Sequence, residues 1–117
     1  MRTVRTDENT FTLTGKVSAE PVVNMNEIGY VTVELSIMSR GDDIESNAQR
    51  IDCLPAVILG WSMSDVERRL PNNGDRVRVT GKAQRRLYVE DGNRKSRVTL
   101  VVTGLDILET GKQRSEL

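Results

Sequence analysis

Residues 30–38 read Tyr30-Val31-Thr32-Val33-Glu34-Leu35-Ser36-Ile37-Met38. Val31, Val33, Leu35 and Ile37 fall on one face of an extended chain, and Thr32, Glu34 and Ser36 on the other. A period of two is the mark of a half-buried β-strand. Upstream, Thr10 to Val17 (T-F-T-L-T-G-K-V) alternates in the same way, with Gly15 marking a bulge or sharp bend. Glu20-Pro21 then breaks the pattern, and Asn24 to Gly29 reads as a turn. Downstream, Ser39 to Gln49 is rich in Asp, Ser, Gly and Asn, and reads as an exposed, mobile loop. Strand character resumes from Arg50 to Leu59. Pro55 donates no ladder hydrogen bond, so an edge or a bulge is expected there.

The period changes over Ser62 to Leu70. Met63, Val66 and Leu70 share a helical face, Ser62 and Asp65 have capping-box spacing, and Arg68 and Arg69 suit a helix C-terminus. Pro71 ends this short helix, and Asn72-Asn73-Gly74-Asp75 is a turn. A strand from Arg76 continues through Gly81 to Leu87 and Tyr88. Glu90-Asp91-Gly92-Asn93 signals a hairpin. Val98 to Val102 returns as its partner, and Leu105 to Leu108 closes the pattern. Three strands, a short helix and two strands make an all-β chain. This is the order of a five-stranded OB-fold Greek-key barrel, with its helix between strands three and four. Gly15 and Gly81 stand where long barrel strands have to bend. The expected organisation is a flexible N-terminus over residues 1–9, one OB-fold domain over 10–109 and a frayed tail over 110–117.

A chain of 117 residues suits one such domain without disulfide or metal support. Histidine is absent and Cys53 is the single cysteine. That removes the commonest general base, the commonest metal ligand and every finger-type zinc site. No phosphate-cradling glycine loop is present, and Asp42, Asp43 and Glu45 match no EF-hand spacing. The chain therefore reads as a non-enzyme without a cofactor, and Cys53 as a small buried hydrophobe. No apolar run is long enough to span a membrane. Met1 to Thr10 lacks the apolar core of a secretory leader, so the expected location is cytoplasmic.

Formal net charge is zero, but it is unevenly spread. Between Arg76 and Arg97 lie Arg76, Arg78, Lys82, Arg85, Arg86, Arg94, Lys95 and Arg97, opposed only by Glu90 and Asp91. Thirteen of the 17 basic residues are arginine, whose planar fork grips phosphate and stacks on bases. On a strand Arg76, Arg78 and Arg86 share one parity, and a stripe of that kind can track a phosphate backbone.

The segment Phe11-Thr12-Leu13-Thr14-Gly15-Lys16-Val17, then Glu20-Pro21, then the strand ending near Ser39, resembles the opening of bacterial single-stranded DNA-binding proteins. Val57 to Leu59, the helix, Gly74-Asp75, Val77 to Gly81 and Gln84-Arg85-Arg86-Leu87-Tyr88 before a glycine hairpin resemble the second half of that domain. The resemblance covers residues 9 to 109. Cys53-Leu54-Pro55-Ala56-Val57-Ile58 is also similar to the primosomal replication protein N branch, and short single-stranded-DNA-binding-like proteins of mobile elements have a similar outline. The likeness implies sequence-independent binding of single-stranded DNA in replication, recombination or repair. It further implies a homo-oligomer, dimer or tetramer, with replication proteins as further partners. The alternative it leaves open is a primosomal-type adaptor that grips a replication protein and binds DNA weakly.

The chain departs from that family in its aromatic residues, which are Phe11, Tyr30, Trp61 and Tyr88 alone. Of the family's stacking positions Tyr88 keeps an aromatic. Leu54 stands at another, and Gly60 at a third with Trp61 beside it. Neither a glycine-rich linker nor an acidic, apolar C-terminal tip is present in the sequence. Tyr88 is expected to stack on a base, against a subunit-contact role. Trp61 is a second stacking candidate, against packing on Val66 or Met63. Phe11 and Tyr30 are assigned to packing. The expected nucleic-acid contacts are Lys16, Arg40, Arg50, Trp61, Arg76, Arg78, Lys82, Arg85, Arg86, Tyr88, Arg94, Lys95 and Arg97.

Overall fold

The computed structural model describes residues 7–42, 45 and 48–111. Six strands and one helix follow in order: β1 (Phe11–Val17), β2 (Val22–Met25), β3 (Val31–Asp42), β4 (Gln49–Trp61), α1 (Met63–Arg69), β5 (Arg76–Glu90) and β6 (Asn93–Glu109). The sheet runs β1-β5-β6-β4-β3-β2, and β1 also pairs with β3. Five strands are thereby joined in a closed circuit of pairings, with β2 as an outer edge. A mostly β chain with one short helix and this sheet is consistent with an OB-fold.

The alternation of residues 31–37 decides which side of β3 is buried. Val31, Val33 and Ile37 are fully buried and Leu35 nearly so. They meet Val17, Ala56, Ile58, Val77, Val79 and Val102 in one cluster. Each fully buried valine, leucine or isoleucine of the cluster contributes roughly 1.5–3 kcal/mol when taken from water. Two glycines permit the close crossings. A Cβ on Gly15 would overlap the Met38 carbonyl, where β1 passes from β5 to β3. A Cβ on Gly81 would overlap the Val101 carbonyl, beside the irregularity between Thr80 and Gly81.

Several boundaries differ from the sequence expectation. Val22–Met25 is a strand, so the turn shrinks to residues 26–29. There the Asn26 side chain accepts from the Ile28 and Tyr30 amides. The strand's sequence does not alternate; β3 imposes its conformation by pairing. Ser39 to Asp42 and Gln49 are strand rather than loop, because β3 and β4 keep pairing as far as Asp42↔Gln49. The remaining loop positions 43, 44, 46 and 47 lie outside the described residues. Pro55 pairs with Ser36 of β3 and immediately precedes the short parallel β4–β6 pairing, Ala56–Ile58.

The helix carries the capping box its sequence proposes. Ser62 Oγ accepts from the Asp65 amide at 3.1 Å, and the Asp65 carboxylate accepts from the Ser62 amide at 3.0 Å. The Asn72–Asp75 turn is fastened by a buried carboxylate. Asp75 accepts from the amides of Asn72 (2.8 Å) and Gly111 (2.9 Å). That second bond pins Gly111, at the start of the tail expected to fray; residues 112–117 lie outside the described ones. At the other end Asn9 is tied by two side-chain bonds to the Ala83 backbone. Residues 1–6 are likewise outside the described set.

Candidate nucleic-acid interface

The β5–β6 hairpin extends past the core as an arm. It turns on two residues, Asp91 and Gly92, both with positive φ, as the Asp-Gly pair requires. Register assigns the arm's faces. Arg86 lies opposite Arg97, and Tyr88 opposite Lys95. Directly opposed residues share a face, and alternate residues return to it. One face therefore carries Arg86, Tyr88, Lys95 and Arg97. The other carries Arg85, Leu87, Val89, Arg94, Ser96 and Val98.

The first of these faces overlooks a groove of about 390 Å³. Its floor is the outer side of β3 and β4, where Thr32, Glu34 and Ser36 lie beside Pro55 and Val57. Ala19, Glu20 and Val22 form one wall, and Arg86, Arg97 and Thr99 the other. The floor offers short hydroxyl side chains and small apolar surfaces. The two arginines bring positive charge to the arm side, while Glu20 and Glu34 occupy the far side and floor. An anionic chain is thereby favoured along the arm wall, with its uncharged parts toward the floor.

Tyr88 is 38% exposed, and the Arg97 guanidinium lies 5.5 Å from its ring centroid. Lys95 is bonded to Glu90 at 3.2 Å. Arg86 and Arg97 stand directly opposite one another, a like-charge pairing that costs folding free energy.

The thirteen expected contact residues do not form one surface. Arg86, Tyr88, Lys95 and Arg97 share the groove face of the arm. Arg85 and Arg94 are on its reverse, where Arg85 donates to Ser96 Oγ at 2.9 Å. Arg50 is held by Asp52 at 3.0 Å. Arg78 lies between Thr14 and Asp106, and Lys82 opposite Val101. Lys16, Arg40 and Arg76 gather at a different groove.

Of the two roles open to Trp61, stacking on a base or packing inside, the structure shows packing. Trp61 is 9% exposed and belongs to the core, with the Arg69 guanidinium 4.9 Å above its ring. The cause is a bulge: Thr32 pairs with Leu59 and Val31 with Trp61, leaving Gly60 as the extra residue at φ 79°. Skipping one residue shifts the alternation and turns Trp61 inward. Cys53, expected to be buried, is a correction. It is exposed, on the outer side of β4 opposite Met38.

The floor is not visible in the sequence as a site. Thr32, Glu34 and Ser36 were legible as the polar side of β3, but only the pairing with β4 and the position of the arm make that side a groove.

No protein-family model matches the chain, and no curated protein matches it. Among solved structures, the chain is similar to a Plasmodium falciparum SSB in complex with ssDNA. The match has a TM-score of 0.72 at 19% sequence identity and covers 92% of this chain and all of that one. At this identity the similarity establishes the shared fold.

Proposed function

We propose that this chain binds single-stranded DNA without base-sequence preference, on a closed five-stranded OB-fold barrel. The observation that carries the reading is the convergence of Arg86, Arg97 and Tyr88 on the arm face that overlooks the β3–β4 groove. OB-folds take oligonucleotides on the face of barrel strands two and three, between the flanking loops. Here those strands are β3 and β4, and the arm is one flank. The similarity to a fold solved with ssDNA supports the same reading.

The division of labour follows from the chemistry. Arg86 and Arg97 neutralise phosphates on the arm wall. Tyr88 presents a ring face for a base, and Thr32, Ser36 and Thr99 offer hydroxyls to base edges. Stacking is indifferent to base identity because every base has a π-face. With one stacking ring, ion pairing supplies most of the affinity, so binding is weak and salt-sensitive. The protein acts by holding the strand rather than by catalysis. Its setting in this reading is cytoplasmic replication, recombination or repair, as a dimer or tetramer that light scattering would count.

The test is anisotropy of a labelled oligo-dT titrated with protein at two salt concentrations, with a matched duplex as control. Tighter binding to the single strand, weakening with salt, is the expected result. No preference for the single strand overturns it.

A further inference from the structure

A second groove, of about 240 Å³, shares no lining residue with the first. Lys16, Arg40 and Arg76 line it, with Glu109 the one acid among the lining residues. Three strands bring these cations together. Lys16 of β1 lies directly opposite Arg76 of β5 and, on its other side, opposite Met38 of β3. Arg40 is two residues beyond Met38, hence on the same side of β3 and diagonal to Lys16. Among the described pairings two set cation directly against cation: Lys16↔Arg76 here and Arg86↔Arg97 at the arm. Such pairs oppose folding; Glu109, opposite Arg76, offsets part of the charge at the first, and a bound anion offsets the rest. Among the described residues no ion pair engages Lys16 or Arg40, and Arg76 lies directly opposite Glu109 on β6.

β5 links the two places. Arg76, Arg78, Lys82 and Arg86 have one parity, so their side chains leave the same side of the strand. Its opposite side buries Val77 and Val79 completely. The ten residue steps from Arg76 to Arg86 span at most ~33 Å.

We infer that the Lys16–Arg40–Arg76 groove is a second phosphate subsite, which holds the nucleic-acid strand after it leaves the arm groove along β5. The inference rests on the proposed function for its ligand. The groove's own chemistry, affinity for a phosphate chain, is separable from it.

The test compares the full-length protein with the Lys16→Gln/Arg76→Gln double variant. Both residues are exposed, and neither belongs to the buried core, so the variant keeps the fold. A dT tetramer is too short to occupy both grooves, and a dT 20-mer is long enough. The variant binds the tetramer as wild type does. It binds the 20-mer roughly tenfold more weakly at low salt, with a log–log salt slope shallower by about 1.4, at about 0.7 per lost phosphate contact. An unchanged affinity and slope for the 20-mer, with wild type binding both oligonucleotides, overturns the inference.

Linear polyphosphate, which has phosphates and no bases, is titrated in parallel and followed by the amide shifts of Gly15, Lys16 and Arg76. Shifts in wild type that vanish in the variant support the subsite. Their absence in wild type overturns it. If wild type binds neither oligonucleotide, the proposed function fails, and the polyphosphate arm alone decides the groove.

Discussion

The Arg97 guanidinium lies over the Tyr88 ring, 5.5 Å from its centroid, on the arm face that looks onto the β3–β4 groove. The two residues come from opposite strands of the hairpin, and their contact requires the register Tyr88↔Lys95 and Arg86↔Arg97. A cation on one face of the ring restrains its orientation and leaves the other face for a base. Tyr88→Ala should therefore weaken oligo-dT binding by about 1–3 kcal/mol, roughly 5- to 150-fold, as for the loss of one stacking platform. Tyr88→Phe should retain most of the affinity. Equilibrium titration of both variants checks this.

The opposed pair Arg86↔Arg97 predicts effects of opposite sign on binding and stability. Arg86→Gln should lower the log–log salt slope by about 0.7 by removing one phosphate contact. It should also raise unfolding stability by about 0.2–1 kcal/mol, the usual cost of like charges directly opposed. Salt-dependent anisotropy and urea unfolding of the same preparation read the two effects.

Trp61 should report on folding rather than on ligand. Its ring is nine-tenths buried and covered by Arg69. Trp61→Ala should destabilise by about 3–5 kcal/mol, as do large aromatic truncations in cores. Trp61→Phe should fold and keep wild-type affinity for oligo-dT. Tryptophan fluorescence should accordingly be little quenched when oligo-dT saturates the protein.

The α1 cap gives a pH dependence. Hydrogen bonds from the Ser62 backbone and side chain hold the Asp65 carboxyl below its ordinary value of 3.8, with Arg69 and Arg68 adding to the effect. A depressed carboxyl stabilises the fold fully above its unfolded value and loses that contribution as pH falls through the lower folded value. Protection of the α1 amides should thus decline on acidification below about pH 4, and Asp65→Asn should remove this dependence. Hydrogen exchange between pH 3 and pH 6 would measure it.

Local signals made much of this molecule legible in its sequence. The alternation of Val31, Val33, Leu35 and Ile37 marked the buried face of β3, the spacing of Ser62 and Asp65 marked the helix start, and Asp91-Gly92 marked the arm's turn. Each depends on residues within a few positions of one another. What stayed hidden depends on distant partners. Val22–Met25 is a strand because β3 lies beside it. Trp61 is buried because a bulge at Gly60 shifts the phase of β4. The Arg76–Arg97 cluster was visible as charge, but its division between two grooves and the reverse of the arm is set by register across β1, β5 and β6. All thirteen expected contacts look alike in the sequence, because the register that separates them is set by strands distant along the chain.

The central claim is that a single strand lies in the groove between the β3–β4 floor and the Arg86–Tyr88–Arg97 face of the arm. The most direct measurement is an amide chemical-shift map of the full-length protein titrated with a dT tetramer. The account predicts shifts concentrated at Thr32, Ser36, Val57, Arg86, Tyr88 and Arg97. Shifts confined to the reverse of the arm, at Arg85, Leu87 and Val89, or no shifts at saturating oligonucleotide, would contradict it.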